Sequence, residues 1–241
     1  MKYAIFSDIH ANLPAFRTAV EFYKKEDIDI FIFNGDIVGY GADPNPCTEL
    51  LKELNPVNLA GNHDWAVLEK IGIEFFNPYA KAAVNWTKKE ISQDNREYLK
   101  TFKMVYREKN FVCVHSAMIE PHKFPYILDE LDARENFRCF REKLCFIGHS
   151  HRQETYVLKN GRISRSGEKA IKLEENCRYI CNVGSAGQPR DGDPRLCLSL
   201  YDSSRGVITF ERLNYDIKEA ADRILKQGLP EILALRLYKG L

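Results

Sequence analysis

Five of the six histidines in this 241-residue chain stand in short motifs beside acidic or amide side chains. In order, the motifs are Asp8-Ile9-His10, Gly35-Asp36, Gly61-Asn62-His63-Asp64, Val114-His115-Ser116 and Gly148-His149-Ser150-His151. Neutral imidazole, carboxylate and amide oxygen are the donor types that hold Mn, Fe or Zn. Asp8, His10, Asp36, Asn62, His115, His149 and His151 make seven such donors, enough for two divalent ions joined by one carboxylate. A carboxylate such as Asp36 bridges two cations better than an amide does, so Asn62 reads as a terminal oxygen donor. His63 is then left over for proton chemistry. Taken singly, each motif has an ordinary reading. D-x-H is a common accident, G-N-H-D can be a turn, and a lone strand-end histidine is more often a hydrogen-bonded core residue. The case rests on all five together, each behind an apolar run.

Those runs are the elements that must position the motifs. Lys2 to Ser7 reads as a buried strand, followed by a helix capped by Asn12, with Pro14 in its first turn. Ile28 to Phe33 is a second strand, Asp43-Pro44 opens a helix through Leu54, and Val57 to Ala60 is a third strand. This β-α-β-α-β order predicts parallel pairing with helices outside. Ligands of such sheets gather beyond the carboxyl ends of the strands, where the motifs fall. In extended backbone, residues i and i+2 face one way, which would let Asp8 with His10, and His149 with His151, reach a common ion. Glycines 35 and 61 would let the backbone pass close to the ions. Helices are expected around Asp64–Ile71, Pro78–Glu90 and Ser92–Phe102, strands at Lys103–Tyr106, Asn110–His115 and Leu144–Ile147, and a helix at Arg134–Phe140. Thr155 to Arg212 reads mostly as antiparallel strands turning at Asn160-Gly161, Ser166-Gly167 and Arg205-Gly206. Helices at Ile217–Lys226 and Pro230–Tyr238 close the chain. The expected organisation is one domain over residues 1–241 with a helical insertion at about 64–102.

Hydrophobic content of 44% and charged content of 29% fit a soluble globular chain with a substantial core. No apolar stretch approaches a membrane span, and a formal net charge of +1 gives no strong nucleic-acid signal. Seven cysteines without a C-x-x-C pair, and no signal-peptide pattern at the N-terminus, point to a reduced, cytoplasmic setting. Cys113 and Cys197 read as buried hydrophobes. Cys177 and Cys181 could form a metal or redox pair, although no other thiol or histidine lies close in sequence.

The five motifs resemble the blocks of the calcineurin-like metallophosphoesterases: D-x-H, G-D-x-x, G-N-H-[DE], H and G-H-x-H, all present from Ile5 to His151. The likeness continues through Asn182 to Arg195. With Ser7–Leu13 and Gly35–Pro46, that stretch is similar to the bacterial and archaeal subgroup of predicted phosphodiesterases and diadenosine-tetraphosphatase-related proteins. The resemblance implies an α/β (α+β) sandwich of two mixed β-sheets flanked by helices, in four layers. It implies one ion on Asp8, His10, Asp36 and His151 and another on Asp36, Asn62, His115 and His149, most often Mn²⁺, with Fe or Zn also occurring. Two such cations acidify water for in-line attack on phosphorus and stabilise the charge that develops. His63 would assist the leaving oxygen, with Asp64 fixing its orientation, or would serve only as a structural hydrogen-bonding group.

Fainter signals surround the motifs. His122 could approach from the substrate side or be an exposed loop residue. Arg190 and Arg195 could grip phosphate or form ion pairs with Asp191 and Asp193. Tyr40 could line the pocket or pack. The insertion carries Trp65, Phe75, Phe76, Tyr79 and Trp86, and as a flap beside His63 it could set substrate choice. The sequence therefore predicts a dinuclear-metal phosphoesterase acting on a small phosphorylated substrate, a phosphodiester or nucleotide. A phosphodiesterase leads. A phosphomonoesterase or dinucleoside-polyphosphate hydrolase is the alternative, and a non-catalytic binding scaffold lies further off because no donor is missing.

Overall fold

A computed structural model describes residues 1–241. Its strands are β1 (Lys2–Phe6), β2 (Ile30–Phe33), β3 (Val57–Asn58), β4 (Val105–Arg107), β5 (Phe111–Val114), β6 (Leu144–Ile147), β7 (Gln153–Lys159), β8 (Arg162–Ser166), β9 (Ala170–Lys172), β10 (Cys177–Val183), β11 (Leu196–Asp202) and β12 (Val207–Leu213). The helices are α1 (Leu13–Tyr23), α2 (Pro44–Leu54), α3 (Asn62–Val67), α4 (Pro78–Glu90), α5 (Gln93–Lys100), α6 (Glu130–Phe137), α7 (Ile217–Lys226) and α8 (Glu231–Leu235). Two six-stranded sheets form, in the orders β3-β2-β1-β11-β12-β9 and β4-β5-β6-β10-β7-β8. Both are mixed. β1 pairs parallel with β2 and antiparallel with β11, while β6 pairs parallel with β5 and β10, and β10 antiparallel with β7.

Side-chain alternation explains the layering. Tyr3 and Ile5 of β1 point between the sheets, whereas Ala4 and Phe6 point outward to the core shared with α1 and α2. Leu144 and Phe146 of β6 likewise face inward, and Cys145 and Ile147 face the core beneath α6. With a period of two, each strand seals two interfaces at once. Each large apolar side chain buried this way contributes roughly 1.5–3 kcal/mol. The result is helix, sheet, sheet, helix, as expected from the resemblance. Cys113, Cys177, Cys181 and Cys197 all lie in the inter-sheet core among Tyr179, Phe146 and Val183. Cys177 and Cys181 therefore serve as small packing groups there.

The parallel β1-β2-β3 start, the Asn12 cap accepting from the Ala15 amide at 3.2 Å, and α2, α4, α7 and β6 fall where the sequence places them. The third strand is shorter than Val57 to Ala60. Leu59 N still donates to Phe33 O of β2 at 2.9 Å, but the chain there bridges Lys103, to whose carbonyl Ala60 N donates at 2.8 Å. The α6 helix starts at Glu130 rather than Arg134, because Asp129 caps it by accepting from Leu131 and Asp132. The final predicted helix stops at Leu235 and tightens into a 3₁₀ turn over Arg236–Lys239. No helix is long and apolar enough to cross a membrane.

Candidate metal centre

The loops leaving the strands meet at the carboxyl ends of β1, β2, β5 and β6. They are tied by backbone hydrogen bonds from Asp8 N to Gly35 O, His10 N to Asp36 O and Gly148 N to His115 O, at 2.9, 3.0 and 2.8 Å. Asp8 and His10 do not converge through the extended backbone that the D-x-H spacing predicts. Asp8, His10, Asp36, His149 and His151 all sit in left-handed backbone, with φ of 57°, 49°, 62°, 67° and 59°. Such conformations cost a non-glycine residue on the order of 1–3 kcal/mol each and cluster at functional sites. The loops turn the side chains inward where the strands themselves would not.

The geometry brings the predicted donors into overlapping groups: Asp8, His10 and His151; and Asp36, His115 and His149, with Asp36 also grouped with His10 and His63. His151 Nε2 lies 3.2 Å from Asp8 Oδ1, and Asp36 Oδ2 lies 3.6 Å from His10 Nε2 and 3.4 Å from His115 Nε2. Asp36 is thus the carboxylate between the two groups. His10, His115 and His151 turn Nδ1 to the backbone carbonyls of Val38, Asn34 and Gln188 at 2.9, 2.7 and 2.5 Å. Donation from Nδ1 leaves each Nε2 lone pair aimed into the centre. His10 Nε2 and His151 Nε2 face one another at 3.0 Å, a spacing suited to two lone pairs sharing a cation.

The donor set fits metal ions. Asp8 Oδ1, Asn62 Oδ1, His115 Nε2 and His149 Nε2 are buried with no hydrogen-bond partner. Four such groups gathered in one place would be costly without a cation to satisfy them. The electrostatics agree. Burial alone would lift the Asp8 carboxyl, but His151 and His115 hold it well below the ordinary range. Burial opposes a charge on His115, yet the Asp36 and Asp8 carboxylates pull its pKa up to about 9, the same attraction a cation would feel. Burial, followed by neighbouring cationic groups, lowers His149 and His151 to about 3, so both present neutral nitrogen.

Gly35 and Gly61 are required by this crowding. A Cβ on Gly35 would stand 2.6 Å from His115 Nδ1, and one on Gly61 2.0 Å from Asp36 Oδ1 and 2.6 Å from the Asp36 amide nitrogen. A backbone atom cannot be moved by a rotamer change. The Gly61→Ala variant is expected to lose roughly 1–3 kcal/mol of stability and part of its metal. A thermal melt read beside metal analysis checks this, and a variant matching the parent in both would show the loop to be looser than it stands.

Asp64 does not orient His63. Its two oxygens accept from the backbone amides of Asp36, Ile37 and Gly61 at 2.9, 3.0 and 2.9 Å, and from Val38 at 3.4 Å, while His63 Nδ1 has no partner. Asp64 therefore clamps the Asp36 loop to the start of α3. Burial and then the nearby Asp36 carboxylate raise its pKa to about 7. His63 is held by packing: its ring lies 4.5 Å from Tyr40, 4.8 Å from His10 and 5.1 Å from Phe76. The Asp36 carboxylate accepts from the His63 amide at 2.8 Å.

A cavity of about 670 Å³ opens over the centre, and Asp36, Asn62, His63, His149 and His151 reach it. Tyr40 and Arg190 line it too, with the Arg190 guanidinium 5.3 Å from the Tyr40 ring and bonded to Gln188 Oε1 at 2.9 Å. The ion-pair reading holds for Arg195, which pairs with Asp193 at 2.6 Å, while Asp191 pairs with Arg212. Arg190 is left without a carboxylate. His122 stands exposed at the rim in a 3₁₀ turn. Two neighbours were not anticipated. Tyr126 stacks on His149 at 3.9 Å, and Arg236 lies 5.8 Å from the Tyr40 ring. The aromatic Phe124 and Tyr126 so soon after His115 were the available signal for the first; nothing in the sequence pointed to the second.

Clustered histidines and carboxylates at the ends of two packed mixed sheets form a candidate metal centre. The calcineurin-like phosphoesterase family model matches residues 1–176. Uncharacterized protein MJ0912 of Methanocaldococcus jannaschii is 36% identical over 98% of this chain and 97% of its own length. A metallophosphoesterase from Sphaerobacter thermophilus is 32% identical and superposes with a TM-score of 0.86, covering 100% of this chain and 99% of that one. A hypothetical protein, PH1004, from Pyrococcus horikoshii, 20% identical, shares the fold with a TM-score of 0.82 over 100% of this chain and 98% of that one. The chain belongs to the calcineurin-like phosphoesterase family and is a metal-dependent phosphoric ester hydrolase.

Proposed function

We propose that this enzyme is a phosphodiesterase working with two Mn²⁺ ions. The observation that carries the diester reading is the cavity above the centre. It is wide, about 670 Å³, and above the polar metal-site residues its wall carries an apolar and aromatic group, Ile71, Phe75, Phe76, Phe124 and Tyr126, with Arg190 and Lys123 as its arginine and lysine cations and Glu74 opposing them in charge. A monoester dianion calls for a dense cationic lining. A diester carries one charge and two organic arms, and a roomy cavity with one apolar wall suits it.

Asp8, His10, Asp36 and His151 would hold one ion, and Asp36, Asn62, His115 and His149 the other. A nitrogen and oxygen donor set without thiolate suits Mn²⁺, with Fe or Zn as substitutes. Bound there, divalent cations supply Lewis acidity toward phosphoryl oxygens and lower the pKa of water. The chain's own groups do the rest. Arg190, free of a carboxylate partner, offers paired N–H donors to a non-bridging oxygen. Tyr40 packs against both Arg190 and His63 and fixes their spacing. His63 faces the cavity beside Asp36, placed to give a proton or a hydrogen bond to the departing oxygen. Burial keeps its imidazole neutral in the free protein, Asp36 only partly opposing this, and an anionic diester arriving beside it would favour the protonated form.

With Mn²⁺ added to chelated protein, bis-p-nitrophenyl phosphate should be turned over with a kcat/KM at least about tenfold above that of p-nitrophenyl phosphate, a difference of roughly 1.4 kcal/mol. A preference for the monoester would overturn the diester assignment and leave the metal centre standing.

A further inference from the structure

One large aromatic side chain on this protein is fully exposed, and it stands at the mouth of the catalytic cavity. Phe75 rises from the loop between α3 and α4 and lines the opening. The loop beneath it is anchored: Phe76 packs on His63, its amide donates to Ile73 O at 3.0 Å, and Lys81 Nζ donates to Glu74 O at 2.8 Å. Tyr126, from a separate part of the chain, lines the same cavity. One face of its ring is stacked on His149 at an interplanar angle of 20°, and about half of the residue remains exposed. Phe124 and Ile127 on either side of it are buried, which fixes the ring in place. A phenyl ring held wholly in water by an anchored loop gains nothing for the fold. Lining the same cavity as the half-exposed Tyr126 ring, it gains when a flat apolar group enters.

We infer that Phe75 and Tyr126 grip a planar heteroaromatic group on one arm of the substrate, which makes the natural substrate a nucleoside-bearing phosphodiester. The inference rests on the diester reading above and adds the identity of one arm. Aromatic side chains stack on any base, and such contacts are sequence-tolerant. The pair therefore selects for a nucleobase without choosing which one.

The test uses two diesters with the same leaving group, thymidine 5′-p-nitrophenyl phosphate and methyl p-nitrophenyl phosphate, on the Mn²⁺-loaded full chain. The wild-type kcat/KM should favour the thymidine ester by about tenfold or more. Phe75→Ala should remove most of that preference, chiefly through KM, and Phe75→Trp should keep it. Equal wild-type rates on the two esters would overturn the inference, as would a Phe75→Ala variant that slows both esters alike or neither. If neither diester is cleaved while p-nitrophenyl phosphate is, the diester reading is what fails. The grip is then read by inhibition of that reaction: thymidine 5′-monophosphate should inhibit at least about fivefold more tightly than methyl phosphate, and Phe75→Ala should erase the gap. Equal inhibition by the two sinks it.

Discussion

Replacing Asp36 with alanine should reduce kcat/KM by more than about 10²-fold and strip the protein of at least one of the two metal ions proposed for it. Groups that merely orient a metal ligand typically cost 10–100-fold when removed. Asp36 stands closer to the chemistry than that. It separates the two donor groups, its Oδ2 within 3.6 Å of His10 Nε2 and 3.4 Å of His115 Nε2. Its Oδ1 holds the His63 amide at 2.8 Å, so alanine would also loosen the start of α3. Asp36→Asn separates the two effects. The amide oxygen can still accept from His63 N, but the charge proposed to join two cations is gone. Metal per chain and turnover should fall with asparagine while the fold persists. Chelating the wild-type protein should match the loss and lower its melting temperature, because an ion bound only by the folded state at 1,000 times its Kd contributes about 4 kcal/mol. Mn²⁺ should restore the wild type and not Asp36→Asn. An asparagine variant with a full metal complement and undiminished turnover would remove Asp36 from the bridging role proposed for it.

Much of this centre was legible in the sequence because each donor follows an apolar strand and parallel strands deliver their ends to one edge. The same logic fixed β1, β2 and β6. The means of convergence was hidden. Left-handed backbone at Asp8, His10 and His149 is only weakly signalled by those residue types, which adopt it more readily than most but far less than glycine. It emerges only when loops from several strands are tied together. Asp64 shows the same limit: adjacency to His63 suggested a pair, yet an aspartate two places after Asn62 also suits capping, and four backbone amides took it. Tyr126 reaches the cavity, and Arg236 the Tyr40 ring beside it, through tertiary packing of distant segments, which periodicity cannot report.

His63→Ala should lower kcat on diesters with poor leaving alcohols by about 10²–10⁴-fold, the usual range for positioned acid–base groups, while leaving metal content at the wild-type level. The size of the loss should depend on the leaving group. p-Nitrophenolate departs readily without a proton, so its esters should suffer little; an alkoxide needs protonation as the P–O bond breaks, so alkyl diesters should suffer most. A structural role predicts a different pattern. His63 packs among Tyr40, His10 and Phe76, and a cavity there would slow all esters by one factor and lower the melting temperature. His63→Gln refines the distinction, since glutamine can donate a hydrogen bond but cannot deliver a proton, and should fall between the two. Asp64→Asn supplies the contrast. It disturbs the carboxylate that accepts four backbone amides, so it should reduce stability and metal retention without any dependence on the leaving group. Equal losses across leaving groups in His63→Ala would assign the histidine to packing, and the departing oxygen would then need another source for its proton.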